Sequence, residues 1–460
     1  MGSEWPLVTI ENIQAKTKGA IAIGPFGSRM KSDCYVDVGI PVIRGTNLSG
    51  SSIFGGEFVY ISEEKANSLG SCNVYKNDLV FPHRGSIGEV GIVTDENRYV
   101  ISSSLMKLTC DTTKVSPKFI YYFFKSSQGK HELLKNASQV GTPGIGQPLS
   151  SLKSIEFRNP PLEVQKKIEE IISSLDNKIT LNRQLNQTLE QMAQALFKSW
   201  FVDFDPVIDS ALAAGNRIPD DLQDRAERRQ LQLAKADHKP LPEKIHKLFP
   251  SEFELTESLG WVPLRWEVSN VGECFDVTMG QSPPGSTYNE DGIGLPFFQG
   301  RTDFGFRYPT NRIYCTDPKR LGKKGHTLIS VRAPVGDINI AVEDCCIGRG
   351  VASAIHKNGA TSYTYYSMNQ LSEHFKIFEG EGTVFGSINQ KDFNAIPLLK
   401  KPEPLIKEFE KIAEKLDEKI RLCSESINVL SQLRDTLLPK LISGELRIPE
   451  AQTQLEAVLG

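Results

Sequence analysis

Apolar residues recur at alternating steps of four and three along two stretches of the chain, 161–202 and 402–441. In the first they fall at Ile168, Ile172, Leu175, Ile179, Leu189, Ala193 and Leu196; in the second at Phe409, Ala413, Leu416, Ile420, Cys423, Ile427, Leu430, Leu437 and Leu441. This is the seam period of a coiled coil, so the pattern predicts two long helices of roughly 60 Å each at 1.5 Å per residue. Asn182 and Asn186 occupy seam positions of the first, and a buried Asn lowers stability while fixing register. The stretches also match each other without a gap. Glu169, Ile171, Leu175, Asp176, Lys178, Ile179, Leu189, Gln191 and Leu196 correspond to Glu410, Ile412, Leu416, Asp417, Lys419, Ile420, Leu430, Gln432 and Leu437 at one offset, 417 − 176 = 241. A period this long marks the duplication of a whole domain with its helix, not a solenoid.

Short β-type runs (42–44, 79–81, 90–93, 105–108), many glycines and one helical stretch near 117–135 predict an α+β domain over 1–158. Arg158-Asn159-Pro160-Pro161 then stops the domain and starts the first long helix, assigned to 159–205. A polar, proline-punctuated connector follows at 206–259 and is expected to carry no core of its own. A second α+β domain is predicted over 260–401, the second helix over 402–442 and a tail over 443–460. The two domains share landmarks at drifting offsets. Gly39-Ile40-Pro41-Val42-Ile43-Arg44-Gly45 answers Gly294-Leu295-Pro296-Phe297-Phe298-Gln299-Gly300, the run from Leu79 to Gly88 answers that from Leu328 to Gly336, and Gly141-Thr142 answers Gly382-Thr383. The frame repeats while the loop contents differ, as expected if two modules read two different things.

Composition adds bounds. At 460 residues and 39% hydrophobic, the chain is long enough for two cores. No apolar run is long enough to span a membrane, and the MGSEWP start has no signal-peptide core, so a cytoplasmic location is expected. The eight cysteines show neither C-x-x-C pairs nor metal-ligand spacing, which predicts reduced thiols. A formal charge of −3 argues against coating nucleic acid through bulk charge, but not against a sequence reader whose basic residues line one face.

Several motifs carry candidate chemistry. Asn159-Pro160-Pro161-Leu162 resembles the base-holding turn of adenine methyltransferases, but the stacking aromatic and the methyl-donor loop are missing, so a helix-starting turn accounts for it better. Pro219-Asp220 with Asp237-His238-Lys239 formally fits a nuclease pattern; the surrounding polar, helix-like sequence lacks the strand pair that would bring the carboxylates onto a metal. The run from Gly141 to Gly146 is glycine-rich without the lysine of a phosphate-binding loop. Tyr121-Tyr122-Phe123-Phe124 and the tyrosines from Tyr363 to Tyr366 sit at helical spacing among apolar neighbours, which favours core over base stacking. Arg84 and Arg332 follow β-runs at matching places, in turns where arginine can clamp phosphate, read guanine or form a structural ion pair. Arg29, Lys31, Arg44, Thr46, Asn47, Ser86 and Thr142 in the first domain, with Gln281, Ser282, Gln299, Arg301 and Thr383 in the second, complete the candidate DNA-contacting set. Phe197, Trp200, Phe201 and Phe204 crowd the end of the first helix, and either packing against the connector or an anchor for a partner fits them.

The phrases GQSPPGSTYNEDGIGLPFFQG, GTPGIGQPLSSLKSIEFRNPPLEVQKKI, ALFKSWFVDFDPV and LLPKLISGEL resemble motifs of the specificity subunits of type I restriction-modification systems. They touch both domains and both helices; the first domain lacks the G-Q-S-P-P stretch. The resemblance implies two α+β target-recognition domains separated by two helices that pair as an antiparallel coiled coil. It implies no catalysis by this chain: each domain reads one half of a split, asymmetric double-stranded DNA target, and the helices set the gap and dock two methyltransferase subunits. S-adenosylmethionine would then belong to those subunits, and ATP and magnesium to motor-nuclease subunits. The rival readings are a self-contained adenine methyltransferase and a coiled-coil scaffold without nucleic acid.

Overall fold

The computed structural model describes residues 5–48, 54–138, 142–236, 239–372, 374–375 and 386–459. They form two compact units, Met1–Arg183 with Ser424–Gly460, and Gln184–Cys423. The long helices run over Leu162–Phe201 and Glu403–Ser443, so each unit holds a recognition-type domain and one stretch of each helix.

In the first unit a four-stranded antiparallel sheet has the order Ile21–Ile23, Leu105–Leu108, Leu79–Pro82, Gly91–Ile92. Its central strands are buried along their whole length, because alternate residues feed two different cores. Leu79, Phe81, Met106 and Leu108 face the aromatic helix Pro117–Lys125, while Val80 and Leu105 face a five-stranded sheet. That sheet has the order Tyr35–Val36, Val59–Ile61, Ile40–Ile43, Tyr99–Ile101, Asn73–Val74, with one parallel pair. Leu7–Thr9 pairs with Glu156–Arg158 and closes the domain where it meets the helix.

The second unit repeats this strand for strand. Its four-stranded sheet has the order Phe275–Met279, Val351–His356, Thr327–Ser330, Ile338–Ile340. Its five-stranded sheet has the order Tyr288–Asn289, Tyr314–Cys315, Leu295–Phe298, Cys345–Ile347, Leu321–Gly322, again with one parallel pair. Glu267–Asn270 closes on Pro397–Lys400.

Within each unit the helix stretches pack antiparallel. In the first, Asp176 meets Arg434 while Asn182, further along, meets Ser426, further back. In the second, Glu190 and Asp417 share one arginine and Phe197 packs on Phe409. Asn182 and Asn186 are buried. The N-P-P segment is a helix-starting turn: Gln165 Nε2 donates to Asn159 Oδ1 at 3.0 Å and to the Pro160 carbonyl at 2.8 Å.

The connector departs from expectation. It folds into helices Asp205–Ala214 and Gln223–Leu233 and a hairpin of Phe253–Thr256 with Gly260–Pro263, and Ile208, Ala211, Ile218 and Ala226 form a small core of their own. The sparse apolar residues are brought together from both helices and the segment between them, and Arg225 pairs with Asp205 and Arg229 with Asp209. Asp220, one residue of the nuclease-like pattern, lies in a short helical turn, while Asp237 and His238 lie outside the described residues. The 443–460 tail is also structured: helix Ile448–Leu459 buries Ala451 in the core of the first unit. The described cysteines are free thiols, and no described helix is long and apolar enough to cross a membrane.

Candidate nucleic-acid interface

In each domain the candidate residues sit on loops leaving the carboxyl ends of four strands. In the first, the chain turns at Gly24, whose N–H donates to the Leu105 carbonyl at 2.9 Å. A Cβ on Gly24 would lie 1.9 Å from the Ser102 carbonyl oxygen, so only glycine admits this approach. The turn presents an exposed Phe26, followed by exposed Arg29 and Lys31. Arg84 forms a bridge with Gly144, and Gly85 N–H donates to the Pro143 carbonyl at 2.9 Å, which places exposed Arg84, Ser86 and Thr142 together. The same patch takes in the 44–47 loop, since a Cβ on Gly45 would lie 3.3 Å from Ser86 Oγ and Thr46 beside it is exposed. His83 is buried beneath Phe26, with Nε2 at 3.0 Å from the Ser103 carbonyl; burial and Arg84 lower its pKa, so it stays neutral.

Two residues expected at the DNA are occupied elsewhere. Asn47 is 1% exposed; it accepts from the Arg44 N–H and donates to the carbonyls of Gly55 and Glu57, so it closes its own loop. Arg44 is half-buried, and its Nη2 donates to the Glu57 carbonyl at 2.8 Å. A short amide inside a tight loop is needed for that loop's backbone, which sequence type alone does not reveal.

The second domain repeats the frame. Gly280 N–H donates to the Val351 carbonyl as Gly24 does to Leu105, and Gly348 N–H donates to Phe298 as Ser102 does to Ile43. Arg332 bridges Ser387, and Ala333 N–H donates to the Gly386 carbonyl, matching Arg84 and Gly85. Gln281, Gln299 and Arg332 are exposed. Ser282 is half-buried, and its Oγ accepts from the Arg349 N–H at 3.2 Å, so it shapes the turn. Arg301 pairs with Asp337 at 2.5 Å on the surface. Thr383 lies outside the described residues. Arg349, exposed between Gly348 and Gly350, joins this face; it was not singled out from the sequence, although its G-R-G setting after a β-run could have marked it.

The face therefore offers arginine forks and amide and hydroxyl groups at loop tips, the donor set for phosphate oxygens and base edges. Among the described residues no group of three His, Cys, Asp or Glu side chains is placed to hold a metal.

The family described as Type I restriction modification DNA specificity domain matches twice, over residues 25–191 and 263–432. The chain belongs to that family. Among its relatives, a Methanocaldococcus jannaschii protein provisionally described as the type I restriction enzyme MjaX specificity subunit is 28% identical over 427 residues, covering 89% of this chain and 88% of that one. The type I restriction enzyme HindI specificity subunit of Haemophilus influenzae is 28% identical over 385 residues, covering 76% and 82%. The crystal structure of a type I restriction-modification S subunit from M. genitalium shares the fold, with a TM-score of 0.57 at 17% identity over 95% of this chain and 96% of that one.

For a specificity-family chain, the aromatic cluster at the end of the first helix was a natural candidate for partner docking. The structure shows packing instead. Trp200, Phe201 and Phe197 are 1%, 2% and 5% exposed, with Trp200 edge-on to Phe249 at 5.5 Å and Phe197 against Phe409 at 5.5 Å. Phe204 is half-buried against Trp266. Phe197, Trp200 and Phe201 stand at i, i+3 and i+4 on one face of the first helix, and the second domain and the second helix enclose that face. The clusters from Tyr121 to Phe124 and from Tyr363 to Tyr366 are likewise core.

Proposed function

We propose that this chain is the DNA-reading subunit of a type I restriction-modification complex and is itself non-catalytic. Each recognition domain reads one half of a split target on double-stranded DNA through the loop face described above. The observation that carries the reading is the duplicated frame with unlike contents. Equivalent strands and backbone hydrogen bonds present Phe26, Arg29, Arg84, Ser86 and Thr142 in one domain, and Gln281, Gln299, Arg301, Arg332 and Arg349 in the other. Unlike donors on a like frame give unlike half-sites.

The paired helices serve as the spacer. Half-sites one turn of DNA apart are separated by roughly 34 Å, and a helix of 40 residues is long enough to span that distance. Two methyltransferase subunits carrying S-adenosylmethionine, and motor-nuclease subunits using ATP and magnesium, assemble with the chain in the cytoplasm and supply the chemistry. Self-contained methylation is disfavoured by the engagement of Asn159 in a helix start.

The test is genome-wide adenine methylation in a host expressing the chain with its cognate methyltransferase, against a host lacking the chain alone. A split asymmetric motif that disappears with the chain supports the reading. An unchanged methylome, with the methyltransferase present and folded, overturns it.

A further inference from the structure

Each recognition domain is held on its helices by the same pair of carboxylates, but the cation completing the contact has changed sides. In the first unit Glu169 lies against the start of helix Pro117–Lys125 at Ser116 and Phe119, and Asp176 faces the Tyr122 hydroxyl and accepts from Arg434 Nη1 at 2.9 Å. The counterparts in the second unit act alike. Glu410 accepts from the N–H groups of Ser362 and Tyr363 at 2.9 and 2.8 Å, and Asp417 accepts from the Tyr366 hydroxyl at 3.1 Å.

At the same offset Arg434 answers to Ala193 (434 − 193 = 241), which is fully buried and brings no charge. The cation comes instead from the recognition domain. Arg307, 0% exposed at its side chain, donates from Nη2 to Asp417 Oδ1 at 2.9 Å and to Glu190 Oε2 at 2.6 Å, touches the Tyr366 hydroxyl, and lies 4.0 Å from the centre of the Tyr365 ring. Glu190, its second acceptor, answers to Ser431 on the other helix (431 − 190 = 241). In the first domain's corresponding loop, no arginine or lysine occurs from Gly45 to Gly56.

This contact is not built for stability. Three acceptors converge on one nitrogen, while Arg307 Nε and Nη1 and Asp417 Oδ2 are buried without a hydrogen-bond partner among the described residues. Burying such a set costs much of what its attraction returns, whereas its geometry is specific.

We propose that Arg307 is a positioning residue, fixing the second recognition domain on the helix pair and through it the phase of the second half-site across the gap. The two domain positions are then not interchangeable: the first carries its cation on the helix, and the second requires a domain that brings an arginine. The inference rests on the function proposed above.

The test uses the full chain with its methyltransferase subunits and a library of split targets whose gap varies by single base pairs. If the wild-type chain selects no gap, the functional reading fails, separately from this inference. Given wild-type selection, Arg307→Met is expected to reduce the preference for the natural gap over its neighbours by roughly tenfold, with the bases chosen in both halves unchanged. Adding Ala193→Arg and Glu190→Ser rebuilds the first unit's arrangement in the second and is expected to restore the preference. Unchanged gap selection in a folded Arg307→Met chain overturns the proposal, as does altered base choice in the second half, or a folded triple variant with no recovery. Should Arg307→Met not fold, the triple variant decides alone: native gap selection supports the proposal and its loss overturns it.

Discussion

Asn182 Nδ2 donates to Ser426 Oγ at 3.0 Å across the helix pair, in a seam that also buries Asn186. It holds only when the helices are in one register, since a shift by a heptad brings Leu433 or Lys419 opposite the amide, and neither side chain can accept its hydrogen bond. Replacing Asn182 by Leu exchanges one hydrogen bond for buried apolar surface and is expected to stabilise the first unit by about 1 kcal/mol while loosening register. Denaturant melts and cysteine cross-linking check this: the natural chain should cross-link only at native-register pairs, the variant also one heptad away. A variant that is both less stable and register-pure would contradict the role.

Trp200→Ala is expected to cost about 3–5 kcal/mol of the second unit's stability, since it empties a fully enclosed site among Phe201, Phe249 and Phe409. Chemical denaturation measures it. A chain that melts normally yet fails to recruit methyltransferase would restore the docking reading.

The helices were legible because a heptad seam is a long periodic signal, and the duplication because the 241-residue offset carries no gap between Glu169 and Leu196. The starts of the long helices, at Leu162 and Glu403, were legible from Pro160, Pro161, Pro402 and Pro404. The loop face was legible only in part. Arg84 and Arg332 are exposed on it, after the β-runs that singled them out, but Asn47 looks the same in sequence whether it reads a base or closes a turn. Arg307 was missed because its partners, Glu190 and Asp417, lie more than a hundred residues away on either side. The connector's core was missed because its few apolar residues come from separate helices and a hairpin.

Lys401 borders a cavity of about 390 Å³ lined by Phe197, Phe204, Trp261 and Leu371, and desolvation there pushes its pKa from 10.5 down to about 8. Between those values the unfolded chain binds the extra proton, so the second unit gains stability as pH rises from about 8 to 10.5 and loses it as pH falls back. Lys401→Met should flatten that dependence and raise the melting temperature at pH 7. Identical pH profiles for variant and natural chain would contradict this.

At the first domain's loop face, Arg84→Ala is expected to weaken DNA binding by about 1–3 kcal/mol if the guanidinium reads a base, with relaxed choice confined to one half-site. Asn47→Ala should instead loosen the backbone that its side chain ties together, seen as faster amide exchange at Arg44 and Gly55, with base choice affected only through that change. Quantitative binding to half-site variants at fixed salt separates the two. Relaxation of both halves by Arg84→Ala would argue against independent domains.

Two like frames that read two unlike half-sites independently should be exchangeable one at a time, so the decisive measurement replaces residues 1–158 with the first domain of another specificity subunit. Methylation by the chimaera, mapped across a genome, is expected to show one half-site replaced, with the other half and the gap retained. A motif changed in both halves, from a chimaera that folds and assembles, would contradict the account.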